Sequence, residues 1–93
     1  MQVTVNVPVT FFKEGNLFIA YSPVLDLSTS GKSFAIVKRR FGEAVELFIE
    51  ELARMGTLDE VLSNLGWVKV NKGWQPPIPI SHEVTKITLP LPH

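Results

Sequence analysis

Residues 33–56 read SFAIVKRRFGEAVELFIEELARMG. Apolar residues recur at Phe34, Val37, Phe41, Ala44, Val45, Phe48, Leu52 and Met55, and spacings of three and four predict one long amphipathic helix. Ser33 stands where an N-cap hydroxyl accepts from the first turn, and Gly56 follows the last apolar residue as a stop. At 1.5 Å per residue such a helix is about 33 Å long, enough to cover a small sheet.

Upstream the period falls to two. Val3, Val5, Val7 and Val9 alternate with polar residues and proline, which predicts a first strand over 3–12, with Pro8 marking an edge or a bulge. Lys13-Glu14-Gly15-Asn16 carries turn chemistry and leads into a second strand, Leu17–Tyr21. Pro23 interrupts, and Leu25–Thr29 returns as a third strand, so the three form an antiparallel meander. Downstream, Thr57-Leu58-Asp59-Glu60 has the capping-box pattern. It opens a short helix with the stripe Leu58, Val61, Leu62 and Leu65, ended by Gly66 before a fourth strand at Trp67–Val70. We read Gly15, Gly31, Gly56, Gly66 and Gly73 as turns or stops and Gly42, inside the long helix, as a site of close packing. The order is β-β-β-α-α-β, an α+β fold: a three-stranded meander plus a fourth strand packed on one long helix, over residues 1–70.

Residues 71–93 differ in kind. Five of the seven prolines lie in the last 18 residues, which excludes helix over most of them. Val84-Thr85-Lys86-Ile87-Thr88-Leu89 nevertheless has the β-branched composition of a strand, with no evident partner in its own chain. We read a Pro-rich extended tail with a short strand that pairs with something.

The chain has 93 residues, length for one small domain. At 45% apolar it can fold, and its 19% charged residues fall below the roughly 25% of an average soluble domain. The absence of cysteine excludes disulfides, thiolate nucleophiles and sulfur-ligated zinc. Residues 1–12 lack a basic start and alternate where a signal segment is continuously apolar, and no apolar run approaches the ~20 residues of a membrane span. The expectation is a soluble, cytoplasmic protein.

We assign no catalytic, metal or cofactor-binding residue. His82 and His93 lie in the tail, away from any ordered nucleophile. Glu43, Glu46 and Glu50 share a helix face, but Arg39 and Arg40 precede Glu43 by three or four residues and Arg54 follows Glu50 by four, the spacing of ordinary solvated ion pairs. Lys38-Arg39-Arg40 sweeps too wide an arc for one flat patch, and nine basic residues balance nine acidic ones, so DNA and RNA are not expected partners. Ile36 and Leu47 lie off the apolar stripe, beside Arg40, as a small contact patch on the helix's outer face. With the tail's Val84, Ile87 and Leu89 they make six candidate interface residues: Ile36, Arg40, Leu47, Val84, Ile87 and Leu89. Low charge and unmatched apolar positions predict a homodimer or higher homo-oligomer.

Three stretches also carry a resemblance: Ile19-Ala20-Tyr21-Ser22-Pro23-Val24-Leu25-Asp26, Ser28-Thr29-Ser30-Gly31-Lys32-Ser33 and Glu43-Ala44-Val45-Glu46-Leu47-Phe48-Ile49-Glu50. Followed by the Gly-Thr-Leu helix and Gly66-Trp67, they resemble the HicB-like antitoxin family over about two thirds of the chain. The resemblance implies a degenerate ribonuclease-H-like sheet covered on one face by a helix. It also implies a non-catalytic protein that binds and blocks a small basic, mRNA-cleaving toxin. Two features depart from the family: its acidic first helical turn is replaced by Ser33-Phe34-Ala35-Ile36-Val37, and its Pro-Gly-Cys is absent around Asp26-Leu27. The 27 proline-rich residues after Gly66 match neither of the family's appended DNA-binding motifs, so no operator contact is expected. The expected function is a partner-binding antitoxin or an orphan relative. The alternatives are a self-assembling module with tail-strand exchange and, third, a weak RNA binder through exposed aromatics.

Overall fold

The computed structural model describes residues 5–71 and 73–92. It is α+β, with a three-stranded antiparallel sheet, two helices and a separate two-stranded sheet. The meander is β1 (Thr10–Glu14), β2 (Leu17–Ser22) and β3 (Leu27–Gly31), with β2 central. Gly15, at φ +61°, begins a two-residue hairpin loop with Asn16, as a type II′ turn requires, so Lys13 and Glu14 belong to the strand.

The first strand therefore lies later than its alternation predicts. β2 offers partners only from Leu17 to Tyr21, opposite Glu14 to Thr10, and Pro8 has no N–H to extend the ladder. Residues 5–9 run without strand structure, although Val7 and Val9 still pack on the core. Val3 and Thr4 lie outside the described residues. The third strand is also displaced. Ser22 pairs with Leu27, leaving Pro23–Asp26 as a turn that Asp26 closes at φ 49°, and Leu25 turns inward instead of joining the ladder.

The long helix, α1 (Phe34–Met55), has the predicted bounds and caps. The Ser33 hydroxyl accepts from the Ile36 N–H at 3.2 Å. Gly56 adopts the left-handed conformation, and the Thr57 N–H reaches the Leu52 carbonyl at 3.0 Å. That last bond explains why the capping box does not form. Thr57 completes the end of α1 with ψ 7°, so its hydroxyl is not aimed at the first turn of α2 (Leu58–Asn64) and has no partner. Gly42 likewise departs from expectation: a Cβ there would meet nothing within 4 Å. The crowded glycine is Gly31, where a Cβ would stand 3.0 Å from the Val37 nitrogen.

Two clusters form the core. Ala20, Val37 and Phe41 join β2 to α1, with Phe11, Phe18 and Val45 around them. Val24, Leu25, Leu62 and Trp67 join the β2–β3 turn to α2 and the chain beyond it. The Trp67 indole N–H donates to the Val24 carbonyl at 2.7 Å, a buried bond between residues 43 apart. The fourth strand does not join the meander or lie on α1. β4 (Val68–Val70) pairs with β5 (Gly73–Gln75) in its own antiparallel hairpin. β5 follows β4 closely enough to pair with all three of its residues.

Beyond Gln75 the described chain carries no helix or strand, and residues 77–92 are exposed. The radius of gyration is 16.4 Å, against about 12 Å for a compact chain of this length, so the tail stands off the body. Among the described residues, no helix is long and apolar enough to cross a membrane.

Candidate protein-interaction surface

Leu17-Phe18-Ile19-Ala20-Tyr21 is apolar at every position. Successive side chains of a strand point to opposite faces, so β2 is apolar on both. Phe18 and Ala20 face α1. Leu17, Ile19 and Tyr21 face the other way, where no helix of the described residues lies, and Phe12 of β1 pairs directly with Ile19. Phe12 is 46% and Leu17 42% exposed, while Ile19 and Tyr21 are half-buried. Around this strip stand Thr10 and Glu14 on β1 and Ser28 and Ser30 on β3. The Tyr21 hydroxyl donates to Asp26 Oδ1 at 3.2 Å. Desolvation first, and then the bond to and charge of Asp26, raise its pKa above the ordinary tyrosine value.

The six candidates from the sequence do not form one patch. Ile36 is half-buried, not exposed, because Gly31 lets the helix sink toward the strand until Ile36 Cγ2 lies 3.0 Å from where a Cβ would be. Arg40 is exposed but occupied: its Nη1 donates to the Ser30 carbonyl at 3.1 Å. Leu47, 66% exposed, stands alone of the three as a free aliphatic on α1. Val84, Ile87 and Leu89 are exposed on the tail. Phe12, Leu17 and Ile19 were missed, although an unbroken apolar run is the sign of a strand covered on both faces.

Two ion pairs form within α1. Arg39 meets Glu43 at 3.9 Å, whereas Arg54 pairs with Glu51 and not with Glu50. Lys38 lies over the Phe34 ring and Lys13 over Phe18. The basic run on α1 thus points to three different neighbours: an aromatic ring, a carboxylate and a strand carbonyl. Among the described residues, no three or more His, Asp or Glu side chains gather as a metal site. His82 lies on the exposed tail, and His93 is outside the described residues.

Three surface hollows are apolar. One of about 630 Å³ lies between Val5, Val7 and Pro8 and Val70, Trp74 and Pro77, and another of about 270 Å³ lies over Leu25, Val45, Ile49 and Trp67. The third, about 330 Å³, is lined by Phe11, Phe12, Lys13, Phe18 and Phe34 beside β1. No family model matches this chain, and comparison with curated proteins and with solved structures finds no match.

Proposed function

We propose that this chain is a non-catalytic protein-binding module of the HicB-like kind, which neutralises a small basic, mRNA-cleaving protein by covering it. The observation that supports the reading is β2, a strand apolar on both faces with a helix over only one. A sheet face left to water carries polar residues in alternation. This one carries Phe12, Leu17, Ile19 and Tyr21, ringed by hydroxyls, with Glu14 and Asp26 at its border. An apolar centre with a polar rim is the anatomy of a protein interface, and the two carboxylates suit a basic partner. Binding messenger RNA's cleaver sets the work of the protein in the cytoplasm.

The test is capture with tagged protein from nuclease-treated native extract, followed by a cleavage assay on what is held. The expected result is a small basic protein that cuts mRNA alone and stops at one equivalent of the chain. Leu17→Glu, at an exposed position, should keep the circular dichroism spectrum and lose the inhibition. Capture of no such protein, or cleavage unchanged by the chain, overturns the reading.

A further inference from the structure

The tail carries Ile78, Ile80, Val84, Ile87, Leu89 and Leu91, each between 67% and 102% exposed. Soluble chains expose single aliphatics freely, but not six in succession on one arm. The meander, in turn, has two outer edges, and they are not equivalent. On β3, Arg40 reaches over from α1 and takes the Ser30 carbonyl, capping that edge with a charged side chain. Among the described residues, β1 has no such guard. Its two-residue loop makes Glu14 and Leu17 the closing bonded pair, so Thr10 and Phe12 bond to β2 while the N–H and C=O groups of Phe11 and Lys13 face outward. Beside that open edge, on the helix side of the sheet, lies the aromatic hollow of Phe11, Phe18 and Phe34. Phe34 is half exposed although its ring meets Phe11 at 5.0 Å.

We infer that residues 84–89 of one copy add as a strand along the outer edge of β1 in a second copy, in a reciprocal pair. An open edge beside a hydrophobic hollow is how sheets bind extended peptides: backbone bonds hold the strand, and alternate side chains enter the hollow. The tail has the right phase. Ile87 and Leu89 share one strand face and fill the aromatic hollow. Val84 and Lys86 share the other, on the side of Phe12 and Glu14, where Lys86 meets a carboxylate. The length also fits, six tail residues against the five of β1. Each buried aliphatic removes roughly 100 Å² of apolar area from water. The three aliphatics of each docked strand therefore contribute about 600 Å² over two tails, and the surfaces that receive them a comparable amount, which reaches the lower end of the ~1,200–2,000 Å² of a stable interface. The second copy is the fitting occupant because one chain carries both unmet halves, and a two-fold pair satisfies both at once.

The test uses the purified full chain, so its outcome does not depend on any foreign partner. Light scattering at high micromolar concentration should give twice the 10.4 kDa chain mass. Ile87→Glu with Leu89→Glu should give a monomer. Lys13→Pro removes an outward N–H while leaving the bonds to β2, and it should also give a monomer. A monomeric wild type, or variants that remain dimeric, overturns the inference.

Discussion

Alanine at Gly31 and alanine at Gly42 are the same chemical change and should move stability in opposite directions. A Cβ on Gly31 would lie 3.0 Å from Ile36 Cγ2, 3.0 Å from the Val37 nitrogen and 3.2 Å from the Val37 Cα. The isoleucine tip can swing aside. The Val37 backbone cannot, because its N–H is bonded to the Ser33 carbonyl at 3.0 Å and its side chain is fully buried. The start of α1 must lift from β3, and overpacking of this kind costs about 1–3 kcal/mol. Part of that is offset, since losing a glycine restricts the unfolded chain by about 0.4–1 kcal/mol. At Gly42 only the favourable part acts: the position is mid-helix with open space around it, and alanine there gains about 0.5–1 kcal/mol. The two variants should differ by about 1–3 kcal/mol, or about 5–20 °C in melting temperature for a domain of this size. Thermal and urea unfolding by far-UV circular dichroism, at one low protein concentration to hold assembly constant, measures both. If Gly31→Ala melts at or above the wild type, or Gly42→Ala below it, the packing of α1 on β3 is not what makes position 31 glycine.

Trp67→Phe removes the donor to the Val24 carbonyl and part of a buried ring, and should cost about 2–4 kcal/mol in urea unfolding; a loss under ~0.5 kcal/mol would show that the Trp67–Val24 bond does not hold the two ends of this cluster together. Tyr21 is the chain's single tyrosine, so absorbance titration reads it alone. Its midpoint should lie above the ordinary value, and Asp26→Asn should lower it part of the way while the contribution of burial remains. A group raised in the folded state adds stability below its unfolded pKa and loses it as pH climbs through the folded one, so the tyrosine's share of stability should fade only in strong alkali. Ser22 is fully buried, with no partner for its hydroxyl among the described residues; Ser22→Ala should be neutral or raise stability by up to about 1 kcal/mol, and a clear loss would reveal a bond the hydroxyl makes.

Elements whose cause is local were legible in the sequence. Helix α1 has its period, its serine cap and its glycine stop within one stretch, and the structure reproduces its bounds. Elements set by contact between distant residues were not. β3 begins at Leu27 because Leu25 is drawn into a cluster with Leu62 and Trp67, far along the chain. Ile36 looks exposed on a helical wheel, yet Gly31 brings a strand against that side of the helix. Thr57 fits a capping box by residue type, but the preceding helix claims it first. The candidate surface falls between these cases. The apolar run of β2 announces that both faces want covering, while only the fold shows which face the helix leaves open.

The Trp67–Val24 bond also orders events in time. The contacts of Ala20 with Val37 and Phe41 span roughly half the sequence separation of those that bring Trp67 to Val24. Each doubling of a loop costs only about 0.6 kcal/mol to close, but the shorter loop closes first. The meander–helix corner should therefore nucleate folding, with Trp67 docking afterwards. Damage at Val37 should then slow refolding, and damage at Trp67 should mainly hasten unfolding. During synthesis Val24 and Leu25 leave the ribosome some forty residues ahead of the tryptophan that covers them. For those few seconds the nascent chain carries a bare apolar turn, and its safety then rests on how quickly translation delivers the indole.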